Sequence, residues 1–246
     1  MKLLVLITVF CFYISTTTSV LPDCGRIPPN FWCKNMQIAT HCGVAAACQR
    51  YNQLSANRKV HIQIIMESLC PFCQRFIVDK FYHDVYLKFR GYVDVELVPY
   101  GNAERNGMSI SCQHGEKECE INTFFSCAQQ HVNPPFDFVY CIERELKNFS
   151  TFEVAKTRCY RERNVPVATQ SRLQSCTYGN EGRQLQLQAA RITEAEFPEL
   201  HLTVPYTIIN NVSLVSAQHM RSNLGLMICD WYVGRNFVPP PCKELS

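Results

Sequence analysis

Fifteen cysteines are spread along this chain of 246 residues, from Cys11 to Cys242. A scatter of cysteines over the whole length differs from the dense cysteine framework of a small disulfide-stapled scaffold. Disulfides form and persist in oxidising compartments and are rare in the cytosol. The cysteines therefore constrain both the compartment and the fold of this chain more than any other feature of its sequence.

The first 19 residues have the pattern of a secretory signal peptide. One cation, Lys2, precedes an apolar run from Leu3 to Ile14, and small polar residues follow up to Ser19. We expect cleavage after Ser19. An uncleaved anchor is the alternative, but about 12 apolar residues are fewer than the roughly 20 that span a bilayer. Cleavage removes Cys11 and leaves fourteen of the fifteen cysteines, an even number that suits a disulfide-bonded protein.

Charge and composition exclude several classes of protein. The net charge of +3 falls by one when Lys2 is removed, and no basic patch of the kind that binds nucleic acid is visible. With 47% hydrophobic and 18% charged residues, we expect one globular domain with attachments and no membrane span. Sequons at Asn148 and Asn211 predict N-linked glycans. The oligomeric state, monomer or disulfide-linked dimer, stays open.

The middle of the chain has the periodicity of an α/β protein. An Ile-rich strand is predicted over 61–67, and a second strand, with alternating apolar residues, over 92–98. Between them, apolar residues recur at helical spacing at Phe76, Ile77, Phe81 and Val85. Strand, helix and strand form one crossover unit. A later strand is predicted over 202–210, followed by a hairpin partner over 212–215 and a closing helix over 216–228.

The four cysteines after the signal peptide, Cys24, Cys33, Cys42 and Cys48, predict a disulfide-clamped helical segment. Trp32-Cys33 and Cys42-Gly43 stand at a spacing that resembles a saposin A-type motif. The resemblance covers about 25 residues, so two interpretations stay open. The segment is either a lipid-binding element or a pro-segment or structural cap.

The strongest chemical signal is Cys70-Pro71-Phe72-Cys73, a C-x-x-C motif between a strand and a helix. A helix N-terminus stabilises a thiolate through its unpaired N–H groups and its dipole. We therefore predict that Cys70 is the accessible nucleophile with a lowered pKa, helped by the backbone N–H groups of Phe72 and Cys73, and that Cys73 is the buried resolving thiol. Half of a zinc site and an inert structural disulfide are the alternatives. The other twelve mature cysteines suffice for six bridges, whose pairing the sequence does not give.

Val204-Pro205 precedes an apolar run and resembles the cis-proline of the thioredoxin fold. In that fold, Pro205 would present the backbone of Val204 to an extended substrate. The predicted architecture is thus an α/β, thioredoxin-like fold with a cystine-rich helical insertion. Its segments are a signal peptide (1–19), a saposin A-like cysteine-rich segment (20–57), a first thioredoxin-like part (58–111), the insertion (112–200), a second thioredoxin-like part (201–235) and a C-terminal tail held through Cys242 (236–246).

A second motif resembles the signature of one family, the gamma-interferon-inducible lysosomal thiol reductases. The signature C-Q-H-G-x-x-E-C-x-x-N with a further cysteine downstream is matched by Cys112, Gln113, His114, Gly115, Glu118, Cys119, Asn122 and Cys127. The resemblance covers roughly residues 61–226. It implies a soluble, glycosylated thiol oxidoreductase of the endosome and lysosome, or a secreted one, that reduces protein disulfides at acidic pH with Cys70 and Cys73 as the redox pair.

The roles within the signature are less defined by sequence. His114 is interpreted as a structural histidine that fixes its loop, with assistance to proton transfer as the alternative. Glu116, Lys117 and Glu118 are predicted to form a solvated face.

The resemblance implies a mechanism that uses side chains only. Cys70 attacks a substrate disulfide, Cys73 resolves the mixed disulfide, and an external small thiol recycles the pair. No metal and no other cofactor is expected, and the partners are disulfide-containing proteins. Two alternatives stay open: a secreted binding protein with an inert disulfide, and an oxidase or isomerase of secreted proteins.

Overall fold

The computed structural model describes residues 23–26, 32–33, 35–55, 58–232 and 240–244. The predicted signal peptide and its cleavage site lie outside these ranges. The chain divides into two compact units, Met1–Tyr51 and Asn52–Ser246. Within the described ranges, no helix is both long and apolar enough to cross a membrane.

The described part of the first unit is helical and disulfide-linked, as its cysteine spacing predicts. A 3-10 turn (Cys24–Arg26) is followed by α1 (Met36–His41) and by α2 (Ala45–Ser55). The disulfides join Cys24 to Cys42 and Cys33 to Cys48. These two bridges replace much of the hydrophobic core that so short a segment cannot form by itself.

The second unit is built on a three-stranded sheet whose central strand is the first in the chain. Its strands are β1 (Val60–Met66), β2 (Val93–Pro99) and β5 (Tyr206–Ile209). β2 runs parallel to β1, and β5 runs antiparallel to it with Tyr206 opposite Ile65. A short hairpin, β3 (Glu104–Asn106) and β4 (Ser109–Ser111), was not predicted from the sequence.

The helix between β1 and β2 begins directly after the C-x-x-C loop. It consists of α3 (Pro71–Arg75), a π-helical segment (Phe76–Tyr86) and a last turn, α4 (Leu87–Phe89). The apolar residues that predicted it face the core, since Ile77, Phe81 and Val85 are buried. The crossover of strand, helix and parallel strand is therefore confirmed.

The predicted cystine-rich insertion is confirmed as helical. Between β4 and β5 lie α5 (Glu116–His131), α6 (Pro135–Lys147), α7 (Phe152–Glu162), α8 (Val167–Tyr178) and α9 (Asn180–Glu194). The disulfide Cys127–Cys176 links α5 to α8, and Cys141–Cys159 links α6 to α7. The helices are thus fastened in pairs beside the sheet.

The predicted strand over 212–215 is wrong. Val212 makes an isolated bridge to Ile209, and a helix, α10 (Val215–Gln218), already begins at Val215. The side chain of Gln218 donates to the carbonyl of Thr207 at 2.8 Å and accepts from its N–H at 2.9 Å. These bonds occupy the outer edge of β5, and no strand of the described residues pairs there.

The closing helix, predicted as one helix over 216–228, is interrupted and ends later, at Trp231. A 3-10 turn (Arg221–Asn223) separates α10 from α11 (Leu224–Trp231). The chain then reaches α12 (Pro240–Glu244), and the disulfide Cys229–Cys242 fastens it, as expected for the tail.

Candidate active site

Cys70 and Cys73 lie at the point where β1 gives way to α3. Cys70 has extended backbone angles and caps the helix, and Pro71 occupies the first helical turn, where its missing N–H removes no helical hydrogen bond. Within the described ranges, twelve cysteines form six disulfides, which confirms the expected number, and the remaining two, Cys70 and Cys73, are free thiols.

Cys70 was expected to be accessible and Cys73 buried. Both are buried, because Cys70 is 6% exposed and Cys73 is 0% exposed. The backbone N–H groups of Phe72 and Cys73, at the start of α3, interact with the sulfur of Cys70. Cys70 nevertheless borders a cleft of about 670 Å³. Phe72, 66% exposed, stands on the rim of the same cleft.

The two thiols have opposite electrostatic environments. The pKa of Cys70 is lowered to about 6 by a hydrogen bond from the thiol of Cys73, by the backbone N–H groups of Cys73 and Phe72, and by the charge of His114. Burial and the bond to Cys70 raise the pKa of Cys73. Cys70 is therefore the thiol that ionises first, as the sequence predicts.

The signature block holds the loop that leads into Cys70. Asn122 of α5 accepts a hydrogen bond from Ser68 N at 3.0 Å, and Glu118 Oε2 accepts one from Leu69 N at 3.3 Å. The disulfide Cys112–Cys119 closes the segment in front of α5. The sequence analysis assigned no role to this block; its contacts show that it holds the backbone immediately before Cys70.

The predicted solvated face is correct for Glu116 and Lys117 and wrong for Glu118. Glu118 is fully buried, whereas its two predecessors are exposed. α5 begins at Glu116, so Glu118 falls on the inner side of the first turn, where it receives the N–H groups of Leu69 and His114. Those bonds satisfy carboxylate oxygens that burial separates from water.

His114 lies between two buried carboxylates. Its Nδ1 is 2.6 Å from Glu118 Oε2 and 3.5 Å from Glu67 Oε2. Glu67 is anchored by Asn102 N, which donates to its Oε1 at 2.7 Å. The Nδ1 of His114 and one carboxylate oxygen of each glutamate lie within 4.8 Å of one another. His114 thus connects its own loop to Glu67 at the end of β1, which agrees with the interpretation of His114 as a loop-fixing residue. It lines the same cleft as Cys70.

The opposite wall of the cleft carries Val204 and Pro205. The peptide bond between them is cis, and Arg221 donates a hydrogen bond to the carbonyl of Pro205. The structure therefore brings the predicted substrate-binding residues and Cys70 to one cleft, although they are more than a hundred residues apart in the chain.

The predicted glycosylation residues lie away from the cleft. Asn148 caps the C-terminus of α6 and Asn211 follows β5, and both are exposed. Neither lines the cleft beside Cys70.

Sequence reasoning missed Glu143. It is fully buried in α6, and neither of its carboxylate oxygens has a hydrogen-bond partner among the described residues. Burial, reinforced by the charges of Cys70 and Glu118, raises its pKa well above the usual value. A signal was present, because Glu143 falls at helical spacing from Phe136 and Val139 on the apolar side of the helix.

The fold and site define a disulfide-rich α/β protein that keeps one pair of free thiols at the start of a helix. The model of the family described as Gamma interferon inducible lysosomal thiol reductase (GILT) matches residues 61–163. A gamma-interferon-inducible lysosomal thiol reductase of Carassius auratus is 28% identical over 99% of this chain and 94% of its own. The gamma-interferon-responsive lysosomal thiol protein of Arabidopsis thaliana is 30% identical over 76% of each chain.

A gamma-interferon-inducible lysosomal thiol reductase of Mus musculus is 28% identical over 76% of this chain and 73% of its own. The chain belongs to the gamma-interferon-inducible lysosomal thiol reductase family. The resemblance that the signature block gave at the level of sequence is thereby confirmed.

Proposed function

We propose that this protein is a thiol reductase that reduces disulfide bonds of protein substrates, with Cys70 as the attacking thiolate and Cys73 as the resolving thiol. One observation carries the proposal: the two free thiols have opposite pKa shifts, that of Cys70 down to about 6 and that of Cys73 upward. The relatives from Carassius auratus and Mus musculus are both named thiol reductases, which supports the proposal.

The reaction uses two electrons from the dithiol. The Cys70 thiolate attacks one sulfur of the substrate disulfide, a mixed disulfide forms, and the other substrate sulfur leaves as a thiolate that takes up a proton. Cys73 then loses its proton and attacks the sulfur of Cys70, which releases the second substrate thiol. The product is a Cys70–Cys73 disulfide, and an external small thiol returns it to the dithiol.

The lowered pKa of Cys70 suits an acidic compartment. At about pH 5, a thiol of pKa 6 is roughly one-tenth ionised, whereas a thiol of pKa 9 is about one part in ten thousand ionised. Intrinsic nucleophilicity falls by only about 20-fold over the same three units. The gain in ionised thiol is therefore larger than the loss of nucleophilicity, and we expect reduction to persist at acidic pH.

The substrate is proposed to bind along the cis-proline wall of the cleft. Val204 and Pro205 face the cleft that Cys70 borders, and β5 follows them antiparallel to β1. This arrangement supports a thioredoxin-like domain made of 58–111 and 201–235, interrupted by the helical insertion 112–200. The segment 20–57 is proposed as a saposin A-like cap.

The compartment is proposed to be the endosome or lysosome, reached through the secretory pathway. Six disulfides require an oxidising route of synthesis. Glycans on the exposed Asn148 and Asn211 would carry the sorting signal for this compartment, in the form of modified sugars.

Trapping tests the proposal. A Cys73→Ser variant is expected to accumulate mixed disulfides with a denatured disulfide protein, whereas Cys70→Ser traps none. Wild type is expected to reduce the same substrate at about pH 5. If Cys73→Ser traps nothing and wild type reduces nothing, the protein is not a reductase. A wild type that oxidises reduced substrates faster than it reduces them assigns the oxidase direction instead.

A further inference from the structure

The half-buried guanidinium of Arg221 lines the cleft that Cys70 borders, and it has no carboxylate partner among the described residues. Its Nε donates to the carbonyl of Gln218 at 3.1 Å, and its Nη1 donates to the carbonyl of Pro205. Both acceptors are neutral, so they hold the side chain without balancing its charge. Burial lowers the pKa of Arg221, but an arginine side chain remains protonated at physiological pH. The cleft therefore contains a partly desolvated positive charge that is not compensated.

A second cation, Lys80, lines the same cleft. Lys80 is exposed, and its ammonium makes no hydrogen bond or ion pair with any residue that the structure describes. Phe76 connects the two cations. Cζ of Arg221 is 5.9 Å from the centre of the Phe76 ring, and Lys80 follows Phe76 by four residues, about one turn, on the same helical segment. Arg221 and Lys80 thus belong to one part of the cleft.

Glu67 also lines the cleft, but it does not neutralise these cations. Its Oε1 accepts from Asn102 N at 2.7 Å, and its Oε2 is 3.5 Å from Nδ1 of His114. No ion pair joins Glu67 to Arg221 or to Lys80. Burial also raises the pKa of Glu67, which favours its neutral form. The part of the cleft that contains Arg221 and Lys80 is therefore positively charged.

The distance from Cys70 to this positive region can be read from the helix. Phe72, Phe76 and Lys80 all line the cleft at intervals of four residues, so they form one stripe along the helix that begins after Cys70. Arg221 lies over this stripe at Phe76. From Cys70 to Phe76 a helix advances about 9 Å, at about 1.5 Å per residue. An extended peptide covers that distance in about three residues, at about 3.3 Å each.

We propose that Arg221 and Lys80 bind a carboxylate of the substrate protein, and that preferred substrates carry Asp or Glu about three residues from the cysteine that Cys70 attacks. The inference rests on the proposed function and narrows its substrate class. The Nη2 of Arg221 makes no hydrogen bond within the described parts of the chain, so its N–H groups are left for the carboxylate. Hydrogen bonds between guanidinium and carboxylate are among the stronger ones in proteins. Because Arg221 also bonds Pro205, this carboxylate site adjoins the proposed substrate-binding wall.

Peptides with a single cysteine, converted to a neutral 2-pyridyl disulfide, test the preference. Within a series the peptides differ at one position, which is Glu, Gln or Lys, three residues before the cysteine in one series and three residues after it in the other. Release of pyridine-2-thione by the reduced protein at about pH 5.5, where glutamate is ionised, gives the rate constant. In at least one series, the Glu peptide is expected to react about tenfold faster than the Gln peptide, and the Lys peptide most slowly. Equal rates for Glu and Gln in both series overturn the proposal.

Substitution of each cation locates the preference. Arg221→Gln should abolish it, but this change also removes the bond to Pro205. Lys80→Glu breaks no bond with a described residue, and it should both reduce the lead of the Glu peptide and accelerate the reaction of the Lys peptide relative to wild type. A damaged fold would not accelerate one peptide. Lys88→Glu is the matched control, because Lys88 pairs with Asp84 at 3.5 Å and does not line the cleft. Equal effects of Lys80→Glu and Lys88→Glu would indicate bulk charge and overturn the site.

A binding measurement separates failure of this inference from failure of the proposed function. Fluorescently labelled peptides with serine in place of cysteine are titrated with the Cys70→Ser, Cys73→Ser double variant, which lacks both free thiols. Fluorescence anisotropy is expected to rank the peptides Glu, Gln, Lys, with about tenfold between the first two dissociation constants. If wild type reacts with none of the disulfides but this ranking is found, the carboxylate site stands and the proposed function fails. Without reaction and without ranking, both fail.

The carboxylate could also belong to the small thiol that recycles the Cys70–Cys73 disulfide. 3-Mercaptopropionate and the neutral 2-mercaptoethanol are therefore compared as reductants of the oxidised protein, in wild type and in Arg221→Gln. A ratio of the two rates that is the same in both proteins supports the assignment to the substrate. A lead of 3-mercaptopropionate that Arg221→Gln removes, together with equal rates for the Glu and Gln peptides, assigns the site to the small thiol and overturns the proposal.

Discussion

Cys70 and Cys73 are three residues apart, and their surroundings make them chemically different. Cys70 accepts hydrogen bonds from the helix start and from Cys73, all of which favour its ionised form. Cys73 lies one turn further, fully buried, and is the donor in that pair. The difference in pKa between the two thiols therefore arises from the hydrogen bonds and the burial that the helix start gives to each of them.

The bond from Cys73 makes the largest contribution to the low pKa of Cys70. Hydrogen bonds to charged groups contribute about 1.5–3 kcal/mol, or roughly one to two pH units. We expect iodoacetamide to react with wild-type Cys70 with a midpoint near pH 6, and with Cys73→Ala at a midpoint one to two units higher. Cys73→Ser keeps a hydroxyl donor and should stay closer to wild type. Equal midpoints for all three proteins would show that Cys73 does not stabilise the thiolate.

Glu143 is expected to make stability depend on pH. Its pKa is raised in the folded state, so between the usual value of 4.5 and the folded value the native protein holds a proton that the unfolded chain releases. The contribution of Glu143 is full below pH 4.5 and is lost as the pH rises, by up to about 1.4 kcal/mol per unit. Glu143→Gln, with no such proton to lose, should gain in Tm relative to wild type from about pH 5 to about pH 7.

The exposed Glu116→Gln is the control for that measurement, since it removes the same charge from the surface. The Tm of wild type, Glu143→Gln and Glu116→Gln is measured by thermal unfolding across this pH range. A constant difference in Tm between Glu143→Gln and wild type would mean that Glu143 is ionised in the folded protein.

At the scale of elements, the start of α5 positions the start of α3. Asn122 and Glu118 bind the backbone of Ser68 and Leu69, and the disulfide Cys112–Cys119 closes the segment before α5. The loop before α3 is therefore held by α5, a helix that is distant from it in sequence. The signature block therefore supports the backbone that leads into Cys70.

Asn122→Ala should loosen that support. It leaves the buried N–H of Ser68 without its acceptor, at a cost of about 1–3 kcal/mol in the free energy of unfolding. We expect slower alkylation of Cys70 at fixed pH and a lower rate of disulfide reduction. Gln129→Ala is the matched control on the same helix, because Gln129 bonds Leu97 N and O at 2.8 and 2.9 Å, away from the thiols. Equal slowing in both variants would indicate general destabilisation only.

At the scale of the whole molecule, the disulfides serve two purposes. Cys127–Cys176 spans 49 residues and fastens α5 to α8, and Cys112–Cys119 spans 7 residues beside the cleft. A bridge that closes a long loop removes more entropy from the unfolded chain than one that closes a short loop. The long bridge is thus expected to serve stability and the short one to serve the site.

Removing each bridge by a double substitution with alanine tests this division. Loss of Cys127–Cys176 should cost about 4 kcal/mol, and loss of Cys112–Cys119 about 2 kcal/mol. Loss of Cys112–Cys119 should slow alkylation of Cys70 more than loss of Cys127–Cys176, because the short bridge adjoins Gln113 and His114 on the cleft wall. Denaturant unfolding and alkylation rates are compared on the same samples. A larger effect of the long bridge on both measurements would contradict the division.

Local patterns in the sequence determined much of this protein. The Ile-rich run predicts β1, the helical spacing of Phe76, Ile77 and Phe81 predicts the helix after it, and C-x-x-C between them predicts a lowered pKa at Cys70. The signature block, Cys112 to Cys127, indicated the family. All of these depend on residues close together in the chain, where backbone geometry alone brings side chains into register.

The tertiary structure decided what depends on distant residues. The burial of Glu118 and Glu143, the pairing of the disulfides and the absence of a strand at Val212 were not predictable from local patterns. Asn122 meets Ser68 across 54 residues, and Gln218 occupies the edge of β5 that a hairpin would have used. Such contacts form only once the helices have packed against the sheet, because packing, not spacing in the chain, decides which polar groups lose water and must find partners.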